Sequence, residues 1–323
     1  MNLVNYYKNI KGKITEIESY EVGCWINCTA PDDDEIDKVM RLTKEEDKRM
    51  RDAFGAGLIE GGGALDEEES SHIDYEDGNT LIVVDIPVAR KNEKSITYHT
   101  MPLGIIITES NVITLCLREN VIIGEFAEGV VRNIYTQFKT QFVLYIILRV
   151  AMKYLQYLKQ IDKISDHAEH ELRKSMKNKE LIQLLEIEKS LVYFSSSLKA
   201  NEATLEKIAR GRLVKLYDED HELLDDVLIE VRQAIEMSNT HMNVLASTMD
   251  VFASIISNNL NIVMKVLASI TLLSSIPTIV SGIYGMNVEY LPFTQKQYWW
   301  FPIIFTGAIV AIVAYILKKK DML

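Results

Sequence analysis

Apolar and polar positions change period along the chain. In residues 1–125, short β-branched runs at 13–17, 81–87, 104–108 and 112–117 are separated by turn residues, the pattern of a small sheet. Acidic, helix-prone stretches such as 42–54 lie between them, so this part is predicted to be mixed α and β. From 103 to 276 there is no proline, and between 130 and 281 the only glycine is Gly211. Strands and turns rarely tolerate such a run, which predicts long helices. The apolar stretch 142–148 is closed by Arg149 and Lys153, too short for a membrane span, and reads as a buried helix segment. Asn178 and 199–201 are expected helix ends, with Gly211 a further break.

One last helix is predicted from 217 to 284, interrupted only by Pro277 and roughly 100 Å long at ~1.5 Å per residue. Leu224, Leu228, Val231, Ile235, Met242, Leu245, Met249, Phe252, Ile256, Leu260 and Val263 form one stripe at 3-and-4 spacing, with Ser238 filling the missing place. So narrow and long a stripe suggests packing against other long helices. Residues 266–284 carry no charge, nor do residues 299–317, and each run of nineteen approaches the ~20 residues that span a bilayer. Lys318, Lys319 and Lys320 follow directly, which by the positive-inside rule places the tail in the cytoplasm and, across two spans, the N-terminal part as well. Tyr298, Trp299 and Trp300 suit the outer interfacial belt.

The expected fold class is therefore an α+β cytoplasmic domain followed by long helices and two C-terminal transmembrane helices, in the cell (inner or plasma) membrane. Its parts are an α/β domain at 1–125, a helical region at 126–216 and a long stalk helix at 217–284 whose membrane part begins near 263. An extracytoplasmic loop at 285–298, a second span at 299–317 and a basic tail at 318–323 complete it.

Composition narrows the function. With 48% hydrophobic and 25% charged residues the chain is not disordered, and a net charge of -11 argues against nucleic acid, because phosphate neutralisation needs clustered Lys and Arg. An acidic mass suits cations. Cys24, Cys28 and Cys116 form no even framework and are read as reduced. The N-terminus has no apolar core of signal-peptide length.

A second stripe on the long helix runs Asp250, Ser254, Ser257, Asn261, Met264, Ala268, Thr271, Ser275, Thr278, Gly282, small or polar almost throughout. Such residues can bond the preceding turn or let helices approach closely. They can also form a pore wall, and because one stripe cannot enclose water, a pore requires several identical chains around an axis. No Asp, Glu, His or Cys lies between Lys265 and Asn287, so bare-cation capture by those groups has no residues there. Neutral oxygens accept hydrogen bonds from water held on a cation, which suits Mg2+, an ion that dehydrates reluctantly.

The segment Asn261-x-x-Met264-Lys265-x-Leu267, then Pro277-Thr278-x-x-x-Gly282-Ile283-Tyr284-Gly285-Met286-Asn287, resembles the CorA family of magnesium channels. Weaker resemblance extends to 65–69 and 102–105. The resemblance implies a funnel-shaped homopentamer in the lipid bilayer, with the first span lining the pore and Gly285, Met286 and Asn287 forming the outer selectivity filter. Asn261, Met264, Leu267, Thr271, Ser275 and Thr278 would face the pore, Met264 and Leu267 forming its hydrophobic constriction. Regulatory Mg2+ would bind between neighbouring cytoplasmic domains at Asp226 and Asp225, with a partner acid from Glu76 or Asp77, and Asp250 would lie near the cytoplasmic mouth. Two departures stand out: 291–294 reads Leu-Pro-Phe-Thr, one carboxylate short of the family's MPEL, and Ser275 replaces a large hydrophobic residue of some members.

Other signals point to no chemistry. Gly55, Gly57 and Gly61 to Gly63 form no phosphate-binding loop, and Asp166, His167 and His170 read as a solvated helix face. No nucleophile elbow or zinc-protease pattern appears, so no enzyme is expected. Two alternatives stay open: a relative carrying Zn2+, Co2+ or Ni2+, and a membrane-anchored sensor or scaffold that transports nothing.

Overall fold

The computed structural model describes residues 4–31, 33–43, 71–76, 78–91, 96–175, 178–211, 213–287, 300–320 and 322. It divides into two compact units, residues 1–246 and 247–323.

Among the described residues the first unit holds seven strands, β1 (Val4–Ile10), β2 (Lys13–Ile17), β3 (Trp25–Thr29), β4 (His72–Glu76), β5 (Asn79–Lys91), β6 (Ile96–Ile107) and β7 (Val112–Cys116). They form one sheet in the order β2-β1-β3-β7-β6-β5-β4, antiparallel except for the β3–β7 pair. All four runs expected as strands are there. β1, β3 and β4 were not foreseen, and β3 shows why: its Asn27 interrupts the apolar pattern yet is buried, accepting a 3.0 Å hydrogen bond from the Thr114 hydroxyl on β7. Thr114 in turn accepts from the Trp25 indole at 2.8 Å. A paired polar ladder can replace apolar residues inside a sheet at little cost.

Helix α1 (Asp33–Thr43) sets Ile36 and Val39 on one sheet face against Cys24, Ile26, Cys28, Ile113 and Leu115. The stretch expected to be helical at 42–54 lies outside the described residues beyond Thr43, as do the glycines at 55–63. Helix α2 (Val121–Ala127) is capped by Asn120, whose side chain accepts from the Ile123 N–H at 2.9 Å. Phe126 of α2 and Phe142 of α3 (Lys139–Ser175) enclose Trp25 edge-on, and 142–148 lies in α3 as expected, buried except at the half-buried Tyr145 and Leu148.

Helix α4 (Asn178–Ala209) runs straight through 199–201, where an end was expected. Asn201 is buried, donating from its amide to the Asp85 carbonyl and accepting from the Asp85 N–H, both at 2.9 Å. β4 pairs with β5 only as far as Val83, so this side chain takes the place of a strand beyond β4's end. Tertiary hydrogen bonding thus overrides the helix-terminating tendency of Asn. Gly211, at φ +66°, does break the chain before the next helix.

That helix, α5 (Asp218–Tyr284), is 67 residues long. Within the first unit its apolar stripe is buried at Leu224, Leu228, Val231 and Leu245, with Ser238 donating to the Leu191 carbonyl of α4. In the second unit Ile256, Leu260 and Val263 continue the stripe but stand exposed. Helix α6 (Phe301–Lys319) completes the chain.

Candidate functional site

Among the described residues, α5 and α6 are the two helices long and apolar enough to cross a membrane, and little of either apolar window is covered. The covered positions lie on one face of α6, and on one face of the apolar stretch of α5 except for Ser275. On α5, Ser269 is buried and Leu273, Ile276 and Val280 are half-buried. On α6, Thr306, Ile309, Val310 and Val313 are half-buried and Leu317 is buried. Ser269 donates a 2.8 Å hydrogen bond to the Met322 carbonyl just past α6, so the face of α5 through Ser269 meets the end of α6. At ~100° per residue, the stripe Thr271, Ser275, Thr278 lies roughly 140–200° around α5 from Leu273, away from the covered face. Asn261, Met264, Leu267, Thr271 and Thr278 are exposed and Ser275 is half-buried.

The hydroxyls on this stripe are already oriented. Thr271 donates to Leu267 O at 2.8 Å, Ser275 to Leu272 O at 2.8 Å and Thr278 to Ser274 O at 3.0 Å. Back-bonding of this kind uses the one hydroxyl proton. What each oxygen offers outward is therefore lone pairs, a surface that accepts hydrogen bonds from water. Local bonding and a water-facing role are compatible here.

α5 ends at Tyr284, where Gly285 N–H reaches Ser281 O at 2.9 Å and Met286 N–H reaches Ile283 O at 3.2 Å. A Cβ on Gly285 would sit 3.0 Å from the Ser281 carbonyl, so a side chain there would push this final turn open. Gly285, Met286 and Asn287 are exposed at the negative end of the helix dipole, which attracts cations. The loop that follows, including Glu289 and 291–294, lies outside the described residues, as do Tyr298 and Trp299.

The predicted acids are dispersed. Asp225 and Asp226 lie exposed about two turns into α5, Glu76 ends β4, Asp77 is outside the described residues, and Asp250 is exposed on α5 in the second unit. Thr80 donates to Leu213 O at 3.0 Å, which brings the β4–β5 hairpin to the connection leading into α5. Among the described residues no group of three His, Cys, Asp or Glu side chains is gathered to hold a metal. Asp166, His167 and His170 are exposed on α3.

Sequence reasoning passed over a half-buried ionic group. Glu125 of α2 meets Arg149 and, at 3.0 Å, Lys153 of α3. Burial alone would raise the Glu125 carboxyl, but the hydrogen bonds from Arg149 and Lys153 outweigh it and hold it below the usual carboxylate range. Cys28 and Cys116 are sealed in the sheet, where burial pushes the Cys116 thiol up to about 12 and Cys28 higher, which disfavours the thiolate of both.

An α/β unit joined by one continuous helix to an apolar helix pair defines a two-span membrane protein with a large polar head. The chain belongs to the CorA-like Mg2+ transporter family, whose model matches residues 21–319. It is 29% identical over 318 residues to the cobalt/magnesium transport protein CorA of Methanocaldococcus jannaschii, covering 96% of this chain and 95% of that one. It is also 26% identical over 195 residues to the protein of the same name from Thermotoga maritima, covering 59% of this chain and 55% of that one. Among solved structures, the complete CorA magnesium transporter of M. jannaschii superposes with a TM-score of 0.81 at 24% identity, covering 98% of each chain. The full-length CmaX protein shares the fold at a TM-score of 0.69 and 12% identity, over 99% of this chain and 97% of that one.

Proposed function

We propose that the protein is a divalent-cation channel that admits Mg2+ down the membrane potential, as a homopentamer with the membrane part of α5 around the axis. The carrying observation is the row of back-bonded hydroxyls at Thr271, Ser275 and Thr278 on α5, opposite Leu273 and followed at the helix end by Gly285-Met286-Asn287. Its relatives' names, magnesium transport and cobalt/magnesium transport proteins, support the same reading. Asn287 side chains, with Gly285 carbonyls, would accept hydrogen bonds from the water shell of an entering ion, and Met286 would help hold that turn. Asn261, Thr271, Ser275 and Thr278 would continue the water-facing wall, with Met264 and Leu267 as an apolar constriction. At ~2.3 kcal/mol per charge per 100 mV, a doubly charged ion gains about 4.6 kcal/mol from a 100 mV potential, so no fuel is required.

Regulation would rest on Mg2+ shared between copies. The scatter of acids within one chain fits this, since a site at Asp226 and Asp225 would need a second subunit's Glu76 or Asp77 to complete it, and Asp250 would meet its copies around the axis. Mg2+ there would neutralise facing carboxylates and favour the closed state; Asp226→Asn is expected to weaken protection of the cytoplasmic domain from protease by Mg2+.

Co2+ is a second cargo favoured by the cobalt/magnesium names of two relatives. The test is ion flux into proteoliposomes under an inside-negative potential, comparing Mg2+, Co2+, Ni2+ and Zn2+ for wild type and Asn287→Ala. Mg2+ entry reduced at least about tenfold in the variant supports the filter. Zn2+ entry without Mg2+ entry would reassign the ion, and no entry of any ion would favour a membrane-anchored scaffold.

A further inference from the structure

Helix α6 is covered along one side and bare along the other. At ~100° per residue, Tyr315 lies roughly 160–180° around the helix from Thr306, Val313 and Leu317. It is 71% exposed, more than any other large apolar or aromatic side chain of α6. Lys318 and Lys319, both exposed, follow it by three and four residues, the spacing at which helix side chains are neighbours. The phenol is therefore flanked by two ammonium groups, one on either side. α6 itself carries no Asp or Glu. Ala308 and Ala311, also exposed, precede Tyr315 on the same side and leave it shallow.

The tail leaves this side open. Met322 N–H turns back to Leu317 O at 3.1 Å, and its carbonyl accepts from Ser269 of α5 at 2.8 Å, which draws the tail toward α5. Lys320, whose N–H closes the helix on Ile316 O and Leu317 O, is turned roughly 140° from Tyr315, toward the covered side. Of the three consecutive lysines, two thus border the bare face and one does not.

An apolar strip that ends in two cations and a hydroxyl sets two requirements on whatever covers it: hydrocarbon along the strip and an anion at its end. A soluble anion meets only the second, and a neighbouring apolar helix only the first. We propose that this face binds an anionic phospholipid of the leaflet around the C-terminal end of α6. Lys318 and Lys319 pair with its phosphate, the Tyr315 hydroxyl donates to a phosphate oxygen, and an acyl chain lies along Ala311 and Ala308. Tyr and Lys are at home at this depth, where an amphipathic side chain keeps its stem in hydrocarbon and its polar tip among headgroups. The site needs only that α6 crosses the bilayer, whatever ion α5 conducts.

The experiment uses the full chain in phosphatidylcholine vesicles with a fluorophore on Ile312→Cys. Ile312 is 60% exposed beside Tyr315, and the native cysteines are buried. Phosphatidylglycerol brominated on its chains should quench the label as though enriched about fivefold over equally brominated phosphatidylcholine. Lys319→Gln is expected to lower that ratio about threefold, and Lys318→Gln with Lys319→Gln to bring it to about one. Tyr315→Phe, which removes only the hydroxyl, should lower it about twofold, and Lys320→Gln should leave it unchanged. All four side chains are exposed, so folding is not at stake in these variants. A ratio near one in wild type overturns the site. A ratio lowered as much by Lys320→Gln as by Lys319→Gln, or untouched by Tyr315→Phe, overturns it in favour of diffuse attraction between charges. Weak quenching by both lipids overturns it as well, because a helix from a second copy or another protein then covers the face.

Discussion

In residues 1–246, Asn201, Glu125 and Ser238 each reach across to a different element, whereas in residues 247–323 Thr271, Ser275, Thr278 and Thr306 bond the turn just behind them. The first arrangement joins helices to the sheet and to one another and leaves few polar groups open. In the second, Ser269 apart, these hydroxyls are satisfied within their own helix, so the outward side of the polar stripe is left open. Apolar residues follow the same division: Leu224 and Val231 are covered by their own unit, while Leu260 and Val263 are more than half exposed. One unit covers most of its apolar core by its own folding; the other leaves much of its apolar surface exposed.

Three substitutions sharpen that contrast. The largest effect is expected from Glu125→Gln, which leaves Lys153, 7% exposed, without its anion and should cost about 3 kcal/mol of unfolding free energy in denaturant titrations. Because the folded carboxyl titrates below its unfolded value of ~4.3, the stability it contributes is fully present above that value and disappears as pH falls through the depressed folded one. The wild type and the Gln variant should therefore converge in stability in strong acid; a gap that stays constant down to that range would show that the charge is not its source.

Asn201→Ala comes next. It orphans the N–H and one bond of the carbonyl at Asp85 in the middle of β5, at about 2 kcal/mol, and should be visible as faster amide exchange at Asp85 in the full chain. Unchanged exchange there would mean that water replaces the amide without loss. The smallest effect belongs to Thr271→Val. Loss of a back-bonded hydroxyl barely alters helix stability, so melting should be unmoved while Mg2+ influx falls about threefold, since one ring of acceptors is gone. An equal loss of stability and influx would break the distinction between the two units.

The two uncharged runs, the continuous helix and the small-residue stripe were legible in the order of residues, because each depends on local periodicity and on the bilayer's thickness rather than on any distant contact. The Gly285-Met286-Asn287 motif was legible for the same reason, being contiguous. β3 and β4 were not, since Asn27 and the charged β4 become strand residues only when a neighbouring strand supplies their partners. The end expected at 199–201 fails similarly: an asparagine reads as a helix terminator until Asp85, over a hundred residues away, occupies its amide.

Sequence alone therefore determined that this chain has a polar α/β head, one very long helix and two membrane-length spans, and that between Lys265 and Asn287 its polar stripe holds neutral oxygens without acids. Tertiary structure alone decided which side of α5 meets α6, where Glu125 finds its two cations, and that Ser269 holds the tail instead of its own helix. Periodicity records which residues share a face; which face is covered, and by what, depends on contacts between segments distant in the chain.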